Sequence, residues 1–288
     1  MRSSDFFRLV SLAAIWGASF LFMRVVAPVL GAVWTAEVRV TLAGIALLLL
    51  MLVTKRAMQF GQHWRAYLVL GLVNSALPFA LYSYAALTIP AGYSAIVNAT
   101  SPLWGALMGR VFLGEQLTIR KMLGMAVGVA GVALLVRLGP VAWSHELLLA
   151  VLACVGATVC YALAGIYSKK VSGQLSAMQM ATGSQCGASI VLLPLLSVAP
   201  VQGEITSTIM IVAAALALLC SAVAYLIYFR LMADVGPTKA LTVTFLIPLF
   251  ALLWGFVFLH ETITLSTLAG CVGVVLATWL VVVQPRQT

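Results

Sequence analysis

Ten stretches of about twenty apolar residues follow one another along this chain, parted by short breaks of glycine, proline or charge, and they run approximately over 7–27, 33–53, 66–87, 91–113, 119–137, 146–168, 175–198, 207–232, 238–259 and 265–283. A bilayer core about 30 Å thick takes about 20 helical residues to cross. In hydrocarbon every backbone N–H and C=O must find its partner within the protein, which leaves helices and closed barrels as the spanning structures. Barrel strands are about ten residues long with alternating polarity, whereas these runs are twice that length and apolar on all faces. Composition agrees, with 8% charged and 63% hydrophobic residues against about 25% charged in soluble domains. The expectation is an all-α polytopic membrane protein of ten transmembrane helices, with little chain left for a soluble domain.

Residues 102–115 read PLWGALMGRVFLGE and residues 248–261 read PLFALLWGFVFLHE, a near copy 146 positions on. At that offset Ser75 matches Ser221, Tyr82 matches Tyr228, Pro102 matches Pro248, Glu115 matches Glu261 and Gly124 matches Gly270. At the start of each half the offset slips to 145, where Trp16–Arg24 faces Tyr161–Lys169. The chain is therefore a duplication, residues 1–140 and 141–288, with five helices in each half. Five is odd, so the second copy enters from the opposite side of the membrane. Inverted repeats of this kind recur in secondary transporters, where the two copies exchange conformations around a central site. The first run, although preceded by Arg2 and Arg8, is needed by the repeat as a retained helix rather than a cleaved signal peptide.

The net charge of +9 would suggest a nucleic-acid partner in a soluble chain. Here the basic residues stand singly or in pairs at the ends of the apolar runs and report orientation instead. With the N-terminus inside, thirteen Lys and Arg residues collect on the inner side and three, Arg24, Arg39 and Arg137, on the outer; this predicts both termini in the cytoplasm. The five cysteines lie within apolar runs with no C-x-x-C spacing and read as free, buried thiols.

Pro102 and Pro248 fall mid-span in the fourth helix of each half, where a proline removes a helical hydrogen bond. Paired interruptions point to the binding region of a repeat transporter, or to packing kinks with no ligand nearby. Glu37, four residues into the second helix, is the acid plainly within a span. Three readings stay open for it: an ion pair with Arg24 beside Arg39, a gate, or a proton carrier. Glu115 and Glu261 end their spans as polar turns or as contacts that switch between states. Small residues at spacing four, such as Gly105/Gly109 and Gly183/Gly187, allow close helix approach. Hydroxyl-bearing and indole side chains inside the spans, among them Tyr84, Tyr93 and Trp254, suit an amphipathic ligand or an interfacial belt. Catalytic chemistry finds no support: His63, His145 and His260 are scattered, and there is no H-E-x-x-H motif and no phosphate loop. No metal or cofactor is called for.

The segments IWGASFLFMR, Val38–Arg39, SPLWGALMGRVFLGEQLTIRKMLGMAVGVAGV and IPLFALLWGFVFLHETITLSTLAGCVGVV together resemble the EamA-type members of the drug/metabolite transporter superfamily. The likeness covers nearly the whole chain; the second copy departs from it at His260, where the glycine of the G-E turn is expected. The resemblance implies ten helices in two inverted repeats, export of amino acids and related metabolites from the bacterial cytoplasm, and a cavity lined by helices one, three, four, six, eight and nine. That selects Trp16, Ser19, Tyr82, Asn98, Ser101, Tyr161, Tyr225, Tyr228 and Thr244 as substrate-cavity candidates. The expectation is an inner-membrane exporter of small amphipathic metabolites, amino acids foremost, working by alternating access as a monomer or homodimer in contact with lipid. A non-transporting assembly or sensor protein and a membrane-embedded enzyme are the rivals.

Overall fold

The computed structural model describes residues 2–138, 141–235, 240 and 242–282. The first half consists of α1 (Ser3–Leu30), α2 (Ala32–Val53), α3 (Phe60–Leu70), which runs through a π-helical turn (Gly71–Ala76) into α4 (Leu77–Ala85), then α5 (Ala91–Asn98), α6 (Ser101–Leu113) and α7 (Ile119–Leu138). The second half repeats the plan with α8 (His145–Val171), α9 (Ala177–Leu192) continued by a 3₁₀ turn (Leu193–Val198), α10 (Ser207–Ala217) passing through a π turn (Leu218–Val223) into α11 (Ala224–Val235), α12 (Val243–Leu259) and α13 (Leu265–Val282). Joining the collinear pieces gives ten spans. Among the described residues seven helical stretches, three of them joined pieces, are long and apolar enough to cross a membrane. The basic residues Lys239 and Arg286, and residues 139 and 140 before the boundary at 140/141, lie outside the described residues.

Local chemistry sets the breaks. Gly31, at φ 80°, lets α1 turn into α2 across a single residue. Ser144, Ser176 and Thr206 cap α8, α9 and α10 by accepting from the N–H groups of Leu147, Gln179 and Ile209. Gly114 and His260 close α6 and α12 in the left-handed region, at φ 67° and 53°, so histidine occupies the backbone geometry that glycine holds in the first copy.

The two prolines are used differently. Pro102 opens α6 after a break at Ala99–Thr100, and the Asn98 carbonyl that a proline there would orphan accepts instead from the Ser101 hydroxyl at 2.6 Å. Pro248 lies inside α12, which continues through it from Val243 to Leu259, so the break that precedes Pro102 has no counterpart immediately before Pro248. What does match is a pair of π turns in the third span of each copy. Leu77 N–H bonds to Leu72 C=O and Ala224 N–H to Leu219 C=O, each five residues back. Pro78 explains the first, because its missing N–H leaves a gap in the α ladder; Ala224 stands at that position in the second copy, and the turn persists there without a proline.

Packing between the halves is two-fold. α1 packs on α12 as α8 packs on α6; α4 packs on α8 as α10 and α11 pack on α1; α3 packs on α9 as α10 packs on α2. α2 with α9 and α7 with α13 are each their own counterparts. The last pair approaches closely at its glycines, where a Cβ on Gly270 would stand 3.0 Å from the Gly131 carbonyl oxygen and one on Gly124 2.9 Å from that of Ala277. The molecule is two inverted five-helix halves interleaved about a pseudo-two-fold axis. Large apolar side chains such as Phe6, Leu49, Val129 and Phe256 are exposed on its outer faces, as a lipid solvent requires. Of the cysteines, Cys154, Cys220 and Cys271 are buried, while Cys160 and Cys186 are half-buried, so full burial holds for three.

Candidate functional site

A cavity of about 290 Å³ lies among the middles of the spans, walled by α1, α2, α4, the α5–α6 break, α8, the two π turns, α11 and α12. All nine side chains named from the sequence line it: Trp16, Ser19, Tyr82, Asn98, Ser101, Tyr161, Tyr225, Tyr228 and Thr244. Its aromatic pairs obey the pseudo-two-fold. Trp16 and Tyr228 have ring centroids 5.4 Å apart, and Tyr82 stacks on Tyr161 at 6.2 Å; the repeat offsets exchange Trp16 with Tyr161 and Tyr82 with Tyr228. The cavity therefore lies where the two halves meet, and both contribute counterpart aromatic rings to its wall, while α2 reaches it through Arg39 and α9 supplies none of its lining residues.

Hydrogen bonds fix the polar lining. Tyr82 Oη donates to Asn98 Oδ1 at 2.9 Å, tying the third span to the break in the fourth. Asn74 Nδ2 reaches Ser75 Oγ at 3.4 Å and Tyr225 Oη at 3.5 Å. The two π turns place Asn74 and Cys220 on the wall, and π turns of this kind are frequent at functional sites.

Several lining residues escaped the reading from sequence: Phe20, Met23, Asn74, Phe79, Cys220, Val243 and Ile247. Asn74 carried a usable signal, being an amide inside an apolar run about one turn before a proline. The apolar ones are indistinguishable in sequence from lipid-facing neighbours. Of the looser set, Tyr84 is exposed on the outside and Trp254 donates its indole N–H to the Ala14 carbonyl at 3.0 Å, holding α12 to α1.

The intramembrane charges are arranged otherwise than the expected Glu37–Arg24 pair. Arg24 Nη1 caps α4 by donating to the Ala86 carbonyl. Glu37 Oε1 accepts from Thr41 Oγ1 at 2.6 Å and from Ser189 Oγ at 2.7 Å, so it is held by hydroxyls from α2 and α9. Arg39, two residues along α2, points away from it and lines the cavity. Spacing alone could not separate these outcomes, because residues 37 and 39 lie on different helical faces.

Beyond the spans, Glu261 accepts the Ala91 N–H with both carboxylate oxygens, at 2.9 and 3.1 Å, and so docks the end of α12 onto the start of α5. Burial holds its carboxyl above the ordinary value, against the lowering pull of the Ala91 and Gly92 N–H groups and of Arg24. Its counterpart Glu115 is half-exposed, 3.7 Å from Lys169.

A larger crevice of about 800 Å³ lies between α6, α7 and α8 and opens on the outer face of the bundle. Its wall offers one hydroxyl, Thr100, and the indoles of Trp104 and Trp143, too few polar groups for a zwitterion or a sugar.

With a two-fold axial cavity in place, the comparison with known proteins is direct. Residues 6–137 and 148–283 both match the EamA-like transporter family. The chain belongs to that family. This EamA protein is 28% identical over 280 residues to "Uncharacterized transporter YvbV" of Bacillus subtilis, covering 95% of this chain and 90% of that one. It is 29% identical over 274 residues to "Protein PecM" of Dickeya dadantii, covering 94% and 89%. Over 197 residues, 67% of this chain and 65% of the other, it is 27% identical to a "Probable terminal-alkyne amino-acid exporter" of Streptantibioticus cattleyicolor. A crystal structure 16% identical superposes with a TM-score of 0.68, covering 97% of this chain and 96% of that one, a likeness of fold. The EamA chain is thus a multi-pass transporter with a small-molecule substrate rather than an enzyme.

Proposed function

We propose that this transporter exports small amphipathic metabolites, amino acids foremost, across the bacterial inner membrane by alternating access, with both termini in the cytoplasm. The observation that carries the reading is the cavity at the pseudo-two-fold axis, walled by both halves with counterpart aromatic rings among the middles of the spans. Such a site can face either side when the halves exchange conformations. A volume of about 290 Å³ lies at the small end of ligand pockets, which suits a metabolite. Tyrosine and tryptophan supply apolar wall and hydrogen bond together. The "Probable terminal-alkyne amino-acid exporter" among the relatives points the same way. The sixteen basic residues divide with thirteen toward one side, which supports the orientation.

Counterflow in proteoliposomes tests this. Vesicles preloaded with unlabelled Thr, Met, Phe or Trp should accumulate the labelled amino acid, and Trp16→Ala and Tyr82→Ala should abolish selective uptake. Folded protein that shows no counterflow with any of the four would overturn the amino-acid assignment.

A further inference from the structure

Among the described residues, one charged side chain lines the cavity, Arg39. It is only 5% exposed. Its Nε–H donates to Ser221 Oγ at 3.0 Å, its Nη1 approaches the Met23 sulfur at 3.7 Å, and the guanidinium lies 3.7 Å over the Phe79 ring. A guanidinium has five N–H donors, and here the described residues give it one hydroxyl, one weak thioether acceptor and a ring face. Among the described residues four ion pairs form, and none involves Arg39. Glu37 is turned onto Thr41 and Ser189 instead. A cation buried at membrane depth without a counter-charge is costly and marks function by default.

The second half shows what the fold itself needs at this place. Gln185 on α9 is the repeat counterpart of Arg39 on α2, and its Nε2 donates to Ser75 Oγ at 2.9 Å. Ser75 is in turn the counterpart of Ser221. Each seat therefore sends a donor to the serine in the π turn of the opposite half. A neutral amide does that work in one half, so holding the π turn does not require the positive charge present in the other.

The geometry points to Arg39 as the seat of an anionic group on the transported metabolite, a carboxylate in an amino acid. The assignment rests on the transport reading above and sharpens it: the cargo must carry an acid group, and the aromatic and hydroxyl walls take the remainder. A planar guanidinium suits a carboxylate because two N–H groups can meet its two oxygens.

The test uses the intact purified chain, with L-phenylalanine and L-methionine set against their carboxamides. Thermal unfolding in detergent reads binding, and counterflow reads transport. In the wild type the free acids should stabilise the fold and drive counterflow, while the carboxamides should need about tenfold higher concentration or more. Arg39→Gln, which copies the amide already present at Gln185, should fold and treat acid and amide alike. Arg39→Lys should keep a weakened preference, and it carries the comparison if the glutamine variant does not fold. Equal response to acid and amide in the wild type, a preference that survives in Arg39→Gln, or no response to the acids in either assay would overturn the assignment. Counterflow without acid preference would remove Arg39 and leave transport standing. Acid-selective, Arg39-dependent stabilisation without counterflow would do the reverse.

Discussion

Where α9 crosses the third span, two glycines leave no room for a side chain. A Cβ on Gly187 would stand 2.2 Å from the Tyr67 carbonyl oxygen, 2.7 Å from its carbonyl carbon and 3.2 Å from Leu68 Cα. These are backbone atoms and cannot rotate aside. The Tyr67 side chain is pinned as well, with its hydroxyl on the Met58 carbonyl at 2.6 Å. Gly71 faces back across the same crossing, where a Cβ would lie 2.4 Å from Ala188 N. Gly187→Ala therefore forces the helices apart by about 1 Å, enough to forfeit a quarter to a half of the dispersion energy across the contact. The expected loss is about 1–3 kcal/mol, read as a lower unfolding temperature of the detergent-purified protein. Gly105→Ala is the control, because nothing lies within 4 Å of a Cβ there; it should leave stability unchanged or raise it by up to about 1 kcal/mol through helix propensity. If the two variants unfold at the same temperature, the close crossing is not what holds the two halves together at this point.

Other expectations follow from the same geometry. Glu37→Ala should cost about 1–3 kcal/mol by removing the shared acceptor of two hydroxyls, of which only one can turn to the other across the 2.7 Å Thr41–Ser189 contact, whereas Glu37→Gln, which keeps the acceptor, should stay within about 1 kcal/mol of wild type; a glutamine as damaging as alanine in thermal unfolding would show that the negative charge itself is needed. The Glu261 carboxyl is held above its ordinary 4.5 by burial, so the folded protein binds its proton more tightly than the unfolded chain, and stability should fall as pH rises from that value through the raised one. Glu261→Gln should flatten this part of the stability profile, and an unaltered profile would place the titrating group elsewhere. His260→Gly should stabilise the turn after α12 by up to about 1 kcal/mol, and Gly114→Ala should destabilise its counterpart by a similar amount; thermal unfolding decides, and equal midpoints would show that neither left-handed residue is strained.

The architecture was legible because hydrocarbon leaves the backbone few options: an apolar run of this length is a helix, and an odd number of helices per copy inverts the second. Cavity membership was legible for Trp16, Tyr82, Tyr161 and Tyr228 because polar-tipped aromatics inside a span have a reason to face inward, and the family resemblance named the helices. Side-chain pairing was not legible. Glu37 finds its hydroxyl partner Ser189 on α9, a helix about 150 residues away in the chain, and no local spacing encodes that meeting. The π turns were hidden for a related reason. Pro78 announces one, but Leu218–Val223 has the composition of ordinary helix, and its extra residue is accommodated by tertiary packing. Pro248 shows the converse, since its sequence context copies that of Pro102 while its helix continues unbroken.

The unequal seats at Arg39 and Gln185 bear on why the halves share one chain. A dimer of identical inverted halves must place the same side chain at both positions. Two arginines would bury a second cation at membrane depth without a counter-charge, a costly arrangement, and two glutamines would leave the cavity without a charge. Tandem fusion frees the copies to differ while the frame around them stays two-fold. The resulting cavity has a polarity of its own: the cation that lines it among the described residues belongs to α2, so on the assignment of Arg39 proposed above a bound metabolite would keep one orientation with respect to the protein while its access to the two compartments is exchanged.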